Sequence, residues 1–414
     1  MQKSTERQTK PVSPSRFLAL ALLWGFLTLL LLVYVLRQYS LIVGAADNLT
    51  YYWDFKLFYA GSLDFWSGGS LYKPSAVLPF ERIIDKNGNS PVGGLLFLLL
   101  SQLPLSLAAG CWVILSLVVF YASLSLVWRV YPLPRQWHWR AAIILFIFIS
   151  YPVLDTLQVG GWGMIIASLD FAAWYYARKG REGRAGVLLG LALSIRWQPF
   201  VIFLYFLSMR RWRLIFASLL TALLAYLVAL LVFGLHNFID FANLAFRLTG
   251  DNTKLSDPYD GSFRGFLGRI SDLLKGAGLN FEGWLPFIWL CGALVLIGCT
   301  LWRCRSLSYD YAFSLCIVTG LLLAPSSWMH YHMALLLPMT LLFQHRQYWP
   351  LAYIALLWLS VYHLFPFGPP LEFRDNPLLF GSLLSFSLFL LYFYLFRGTR
   401  AADDTAYKAI SQKS

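Results

Sequence analysis

The chain is poor in charge. Only 13% of its 414 residues are Asp, Glu, Lys or Arg, about half the roughly 25% of an ordinary soluble domain. That shortage excludes a soluble globular fold. Cysteine is scarce as well. The five are Cys111, Cys291, Cys299, Cys304 and Cys316, all in apolar runs or beside the basic Arg303–Arg305 pair. None lies in a long polar stretch, which excludes a disulfide framework. The chain has no Walker-type glycine loop, no H-E-x-x-H, no G-x-S-x-G and no nucleic-acid motif. It shows no repeat at a solenoid period.

Hydrophobic residues are plentiful at 58%, with 18% aromatic, and the mean hydropathy is +0.61. Apolar runs of about 20 residues recur from end to end, each long enough to cross a hydrocarbon core of roughly 30 Å. The first, Phe17 to Leu36, exceeds a signal-peptide core and lacks a small-residue cleavage site, so a retained span is expected. The fold class is therefore an all-α polytopic membrane protein. The sequon Asn48-Leu49-Thr50 carries no further weight, because such triplets commonly arise by chance.

The net charge of +13 is explained by membrane topology rather than by nucleic acid. Basic residues gather in short loops: the tail to Arg16, Arg129–Arg140, Arg178–Arg184, Arg210–Arg213, Arg303–Arg305, Arg346, and the tail from Arg397. The positive-inside rule puts these in the cytoplasm. The expected plan is a cytoplasmic tail over 1–16, a membrane domain over 17–396 and a cytoplasmic tail over 397–414. Two long extracytoplasmic loops, 37–90 and 234–283, complete it, with about 12 membrane segments in all. Parity adds two expectations. Residues 185–209 form a hairpin of two short arms, each about 10 residues or about 15 Å, with Arg196-Trp197-Gln198-Pro199 at its tip. Pro91–Leu107 is interfacial or re-entrant rather than a full crossing.

Charges that a bilayer tolerates poorly mark the candidate chemistry, since each costs about 2.5–3.5 kcal/mol at mid-span on the insertion scale. Asp54 stands among aromatics in Tyr51-Tyr52-Trp53-Asp54-Phe55-Lys56-Leu57-Phe58-Tyr59. It reads either as a general base in a partly apolar niche or as a solvated loop carboxylate. Arg196 at the hairpin tip suits a phosphate, or else snorkels to a headgroup or a nearby carboxylate. His330 and His332 lie in Ala324-Pro325-Ser326-Ser327-Trp328-Met329-His330-Tyr331-His332. They read as an anion site or as interfacial histidines, and no nearby carboxylate or cysteine completes a metal ligand set. Asp155 and Asp170 are weaker candidates. The acidic stretch holding Asp257, Asp260 and Arg264 reads by default as a solvated loop.

In order along the chain, several segments resemble glycosyltransferase family 87, the polyprenol-phosphate-mannose-dependent mannosyltransferases of the GT-C membrane superfamily. They are Asp54-Phe55-Lys56-Leu57-Phe58-Tyr59-Ala60-Gly61 with Gly69-Ser70-Leu71-Tyr72, Pro91 through Leu103-Pro104, and the Gln158 turn. Ala185-Gly186-Val187-Leu188-Leu189-Gly190-Leu191 follows, leading to Arg196 and Pro199, and then the Ala324–His332 segment. The chain departs from the family pattern at Asn89-Ser90-Pro91-Val92, at Gln158-Val159-Gly160-Gly161, at Asp260-Gly261-Ser262, and in having Arg196 where Lys is common.

The resemblance implies a GT-C fold and transfer of a sugar, mannose first among the choices, from a polyprenyl-phosphate donor to a glycolipid or glycan acceptor. It implies an active site on the extracytoplasmic face of a bacterial cytoplasmic membrane. Asp54 would be the catalytic base, with Arg196, His330 and His332 on the donor phosphate. Tyr52, Trp53, Lys56, Tyr59, Gln158 and Arg264 would contact sugar or acceptor. No metal or other cofactor is required. The rival readings are a flippase of lipid-linked sugar, which would need Arg196 and the histidines but not Asp54, and an O-antigen polymerase or ligase.

Overall fold

The computed structural model describes residues 52–73, 89–250, 257, 260–360 and 377–398, with isolated positions between Gly25 and Ser40. Most of the expected first span 17–36, the first outer loop over 74–88, residues 361–376, the N-terminal tail and the C-terminal tail beyond Gly398 lie outside the described residues. Among those described, the elements are helical, apart from one isolated β-bridge between Asp260 and Trp328.

In chain order the helices are α1 Trp53–Trp66, α2 Pro91–Leu100, α3 Leu105–Val130, α4 Trp137–Ile149 and α5 Tyr151–Val159. There follow α6 Gly163–Arg178, α7 Glu182–Ile195, α8 Phe200–Ser208, α9 Trp212–Gly250 and α10 Phe263–Gly276. The last are α11 Leu285–Cys304, α12 Tyr309–Leu323, α13 Leu336–Gln344, α14 Tyr348–Ser360 and α15 Pro377–Phe396. A 3-10 helix, Met329–Leu335, joins α12 to α13 across the His330 turn.

Among the described residues, three helices are long and apolar enough to cross a membrane: α3, α9 over Trp212–Phe246, and α11 with its lead-in from Glu282. The pair α4 and α5 passes the same test together and is bent by 43°. The protein is therefore an integral membrane protein. Outward-facing Leu223, Leu231 and Phe246 on α9 and Leu294 on α11 would be costly in water and are at ease against lipid. The helix α2 has only ten residues, about 15 Å or half a hydrocarbon core. The 185–209 segment is a hairpin whose arms are α7, with 14 residues, and α8, with nine. The first arm is longer than expected because the helix starts at Glu182, within the basic cluster.

Local chemistry accounts for the breaks. Pro152 at the start of α5 has no N–H to continue α4, and Ser150 goes extended with its hydroxyl on the Ile147 carbonyl at 2.7 Å. The helix α5 ends on Gly160 at φ 68°, a left-handed position that costs glycine nothing. A Cβ there would also come within 2.6 Å of Phe55 Cβ, so the bare backbone lets α1 approach. Within α9, Gly234 at φ 74° and ψ 164° kinks the chain, a region open essentially to glycine alone.

One end of the bundle is held by Asp310 at the start of α12. It accepts from Trp174 Nε1 at 2.9 Å, from the Tyr131 hydroxyl and from Arg178. The helix α12 runs from this end to the other and α6 runs back towards it, so that the start of α6 at Gly163 and the His330 turn after α12 lie side by side.

Candidate active site

Helices α5, α7 and α12 end, and α1 and α6 begin, at the same place. Asp54 is the second residue of α1, where the helix dipole favours a carboxylate. The turn before it is pinned: Tyr52 adopts φ 54° and donates its N–H to the Gln158 carbonyl at 2.8 Å. This bond fastens the first outer loop to the α5–α6 junction.

His330 faces Asp54 across a small gap. Its Nε2 lies 3.8 Å from Asp54 Oδ2, while its Nδ1 lies 3.2 Å from Asp155 Oδ2. The first distance is too long for a hydrogen bond and short enough for ion-pair attraction. The second holds the ring's orientation. The His330 Nε2 is buried and has no hydrogen-bond partner. The backbone of Gly161 walls the gap: a Cβ there would sit 3.0 Å from Asp54 Oδ2 and 3.4 Å from His330 Cδ2.

Arg196 arrives from the hairpin. It caps α7 in extended conformation at φ −142°, and its guanidinium stacks over Tyr331 with Cζ 5.4 Å from the ring centroid. Among the described residues no carboxylate comes within 4.0 Å of it, and its Nε is buried without an acceptor. A guanidinium held in this way suits an anion, and its fork geometry matches a phosphate.

Asp54 lies in the 14-residue helix α1, which is not one of the helices long enough to span. Burial pushes its carboxyl above the ordinary carboxylate range. His330 and Arg196 pull it back down, and Asp155 pushes it up again. The net direction is upward, which suits a carboxylate that must take up a proton.

The other residues singled out in the sequence are placed as follows. His332 is buried and turns away from Asp54, with Nε2 3.4 Å from Ser327 Oγ and close to Gly261. Asp260 is not a solvated loop residue: its Oδ1 accepts from the N–H groups of Ser262 at 2.9 Å and Ser327 at 2.7 Å. The second outer loop is thereby fastened to the histidine turn. Tyr59 stacks on Phe55 and donates to the Leu103 carbonyl at 2.7 Å, so its ring is part of the core. Lys56 is fully buried on the inner side of α1, and Tyr52 is buried beside it in sequence. Trp53 is partly exposed, Gln158 contributes its carbonyl to Tyr52, and Arg264 lies in the first turn of α10. Asp170 lies in α6, lining a cavity with about 20 Å³ for solvent together with Gln198 and Tyr331. Sequence reasoning ranked Asp155 low and passed over Tyr331 and Gly161. The signal for these was the bend at Ser150-Tyr151-Pro152 and the Gly160-Gly161 pair.

Asp54, His330 with Asp155 on its other ring nitrogen, and Arg196 stacked on Tyr331 thus lie together at one end of an apolar helical bundle. Residues 89–325 match the family model of glycosyltransferase family 87, and the chain belongs to this family of enzymes. It is 26% identical to a polyprenol-phosphate-mannose-dependent alpha-(1-2)-phosphatidylinositol pentamannoside mannosyltransferase of Mycolicibacterium smegmatis. That match runs over 301 residues, covering 69% of this chain and 68% of the relative. It is 24% identical over 269 residues to a polyprenol-phosphate-mannose-dependent alpha-(1-2)-phosphatidylinositol mannoside mannosyltransferase of Mycobacterium tuberculosis, covering 61% of this chain and 60% of the relative. No solved structure gives a significant match. The family match contains Asp155 and Arg196 and stops short of Asp54 and His330 on either side.

Proposed function

We propose that the protein transfers a sugar, mannose by analogy with both relatives, from a polyprenyl monophosphate to a hydroxyl of a glycolipid or glycan, with inversion at the anomeric carbon. The observation that carries this reading is the Asp54–His330 gap of 3.8 Å beside an Arg196 with no carboxylate within 4.0 Å. One carboxylate faces a fixed imidazole, and a guanidinium stacked on Tyr331 with no carboxylate beside it is placed to receive the donor phosphate.

In the step, Asp54 takes the proton of the acceptor hydroxyl. That oxygen forms a bond to the anomeric carbon as the bond from this carbon to the phosphate oxygen breaks. The electron pair leaves with the polyprenyl phosphate. Attack opposite the leaving group inverts the configuration, by the same single-base logic as inverting glycosidases. Arg196 and His330, with His332 behind them, bind the phosphate and steady the charge that grows on it. Asp155 keeps His330 Nε2 aimed at the reacting groups. This chemistry needs no metal, since the polyprenyl phosphate that departs is already a fair leaving group and Arg196 offsets the charge it gains. Tyr52, Trp53, Lys56, Gln158 and Arg264 remain proposed contacts for sugar or acceptor. The positive-inside pattern supports an active site on the extracytoplasmic face of a bacterial cytoplasmic membrane.

The test is transfer by the purified full-length protein in proteoliposomes, using polyprenyl-phosphate mannose and a mannoside acceptor. Transfer with inverted anomeric configuration is expected, and Arg196→Met is expected to raise the donor KM with the helical fold intact. Movement of the lipid without transfer would instead favour the flippase, and retention of configuration would remove the single-base step.

A further inference from the structure

The helix α10 turns its buried cation inward and apolar side chains outward. Its inner face consists of Gly265, Gly268, Arg269 and Ser271, all buried. Its outer face presents Ile270 and Leu273 at 37% and 58% exposure. The orientation is fixed. Arg269 donates from one guanidinium nitrogen to the carbonyls of Asp257 and Asp260 at 3.1 and 2.9 Å. From another it donates to the Gly381 carbonyl and the Ser385 hydroxyl at 2.8 and 2.7 Å. The helix cannot roll to hide Leu273 without breaking these bonds and leaving a buried cation unpaired.

The outward apolar surface continues past the helix. Leu279, Phe281 and Trp284 are exposed at 52%, 40% and 63%, and the run passes directly into Phe287 and Ile288 on α11. α11 is one of the spanning helices, so its first turn sits at a membrane surface and sets the level of the segment just before it. Aromatic residues at that level suit the interface. The exposed Lys275–Glu282 ion pair at 2.7 Å stands beside them as a polar edge. An apolar face in water would be costly, whereas the same face continuous with a lipid-facing span is the pattern of an in-plane membrane helix.

We propose that α10 lies in the plane of the membrane surface, with Ile270 and Leu273 immersed among the acyl chains of the bilayer. Ser262 caps α10 by accepting from Gly265 N–H at 2.9 Å, and the residues just before it, Asp260 and Gly261, bond Ser327. Lipid seated on α10 therefore fixes one wall of the site, next to His332. The inference rests on packing and stands whatever sugar or acceptor the enzyme uses.

The experiment places photoreactive benzoyl-phenylalanine at Leu273 or at Lys275 in the full-length protein, reconstituted in phosphatidylglycerol–phosphatidylcholine nanodiscs. The two positions are about 200° apart around the helix. After irradiation, mass spectrometry of the α10 peptide should show a phospholipid adduct at 273 at least about fivefold above that at 275. Benzoyl-phenylalanine at Ile270, on the outer face, should repeat the 273 result and guards against local misfolding at one site. Equal adducts at 273 and 275, no lipid adduct at 270 and 273, or crosslinks from these to another stretch of the chain would each overturn the proposal.

Discussion

His330 Nε2 and Asp54 Oδ2 stand 3.8 Å apart, although one side chain comes from the first outer loop and the other from the turn after α12. The expectation that a carboxylate, an imidazole and a guanidinium meet at one end of the bundle is a strong geometric demand. The coordinates place Asp54 well within two hydrogen-bond lengths of His330, with Arg196 stacked on the neighbouring Tyr331.

Burial raises the Asp54 carboxyl above the ordinary range, and a base works only when unprotonated. The rate should therefore fall on acidification earlier than it would for an exposed Asp near about 3.9. The acid limb of kcat/KM against pH measures this. The stability effect has the opposite sense. A raised folded pKa means that the folded state holds the proton more tightly. The group's stabilising contribution is full below the unfolded pKa and is lost as pH rises through the folded one. Asp54→Asn should thus be at least as stable as the parent at neutral pH in a thermal melt, and the gap should close in acid.

Asp155 orients the His330 ring through the 3.2 Å contact. Asp155→Asn should lower kcat by about tenfold or more, a loss of about 1.4 kcal/mol in transition-state stabilisation. The donor KM should move much less. An equal shift in KM alone would assign Asp155 to donor binding instead.

The added methyl of Gly161→Ala would stand 3.0 Å from Asp54 Oδ2 and 3.4 Å from His330 Cδ2. It would push the two apart without entering the apolar core. Activity should drop by about 10- to 100-fold, as small displacements of reacting groups do, with circular dichroism and detergent-solubilised size unchanged.

Arg269→Met would leave the carbonyls of Asp257, Asp260 and Gly381 and the Ser385 hydroxyl without their donor. Loss of a buried, multiply bonded cation should cost about 3 kcal/mol or more, read as a lower melting temperature in detergent. Arg269→Lys should recover only part of it, because an ammonium cannot span the same fork of acceptors.

Much of this site was legible in the sequence because charge is conspicuous where lipid surrounds it. Asp54, Arg196 and His330 stood out as polar groups in apolar surroundings. What stayed hidden depended on backbone direction. Asp155 reaches His330 only because Pro152 bends the chain by 43° between α4 and α5. Tyr59 was read as loop, whereas α1 is helical from Trp53, so Phe55 and Tyr59 share one face and stack in the core. Asp260 looked solvated because its partners, two backbone N–H groups, leave no trace in residue type. The sequence singled out Arg264 and not Arg269, because only the helix phase of α10 turns Arg269 inward.

The central claim is that Asp54 is the base. Its most direct measurement is the single-turnover rate of mannosyl transfer from polyprenyl-phosphate mannose by the parent protein and by Asp54→Asn, at equal folded concentration and saturating donor. The account expects the substituted enzyme to bind donor normally and to lose about 10²- to 10⁴-fold in rate. A rate within a few-fold of the parent would contradict it.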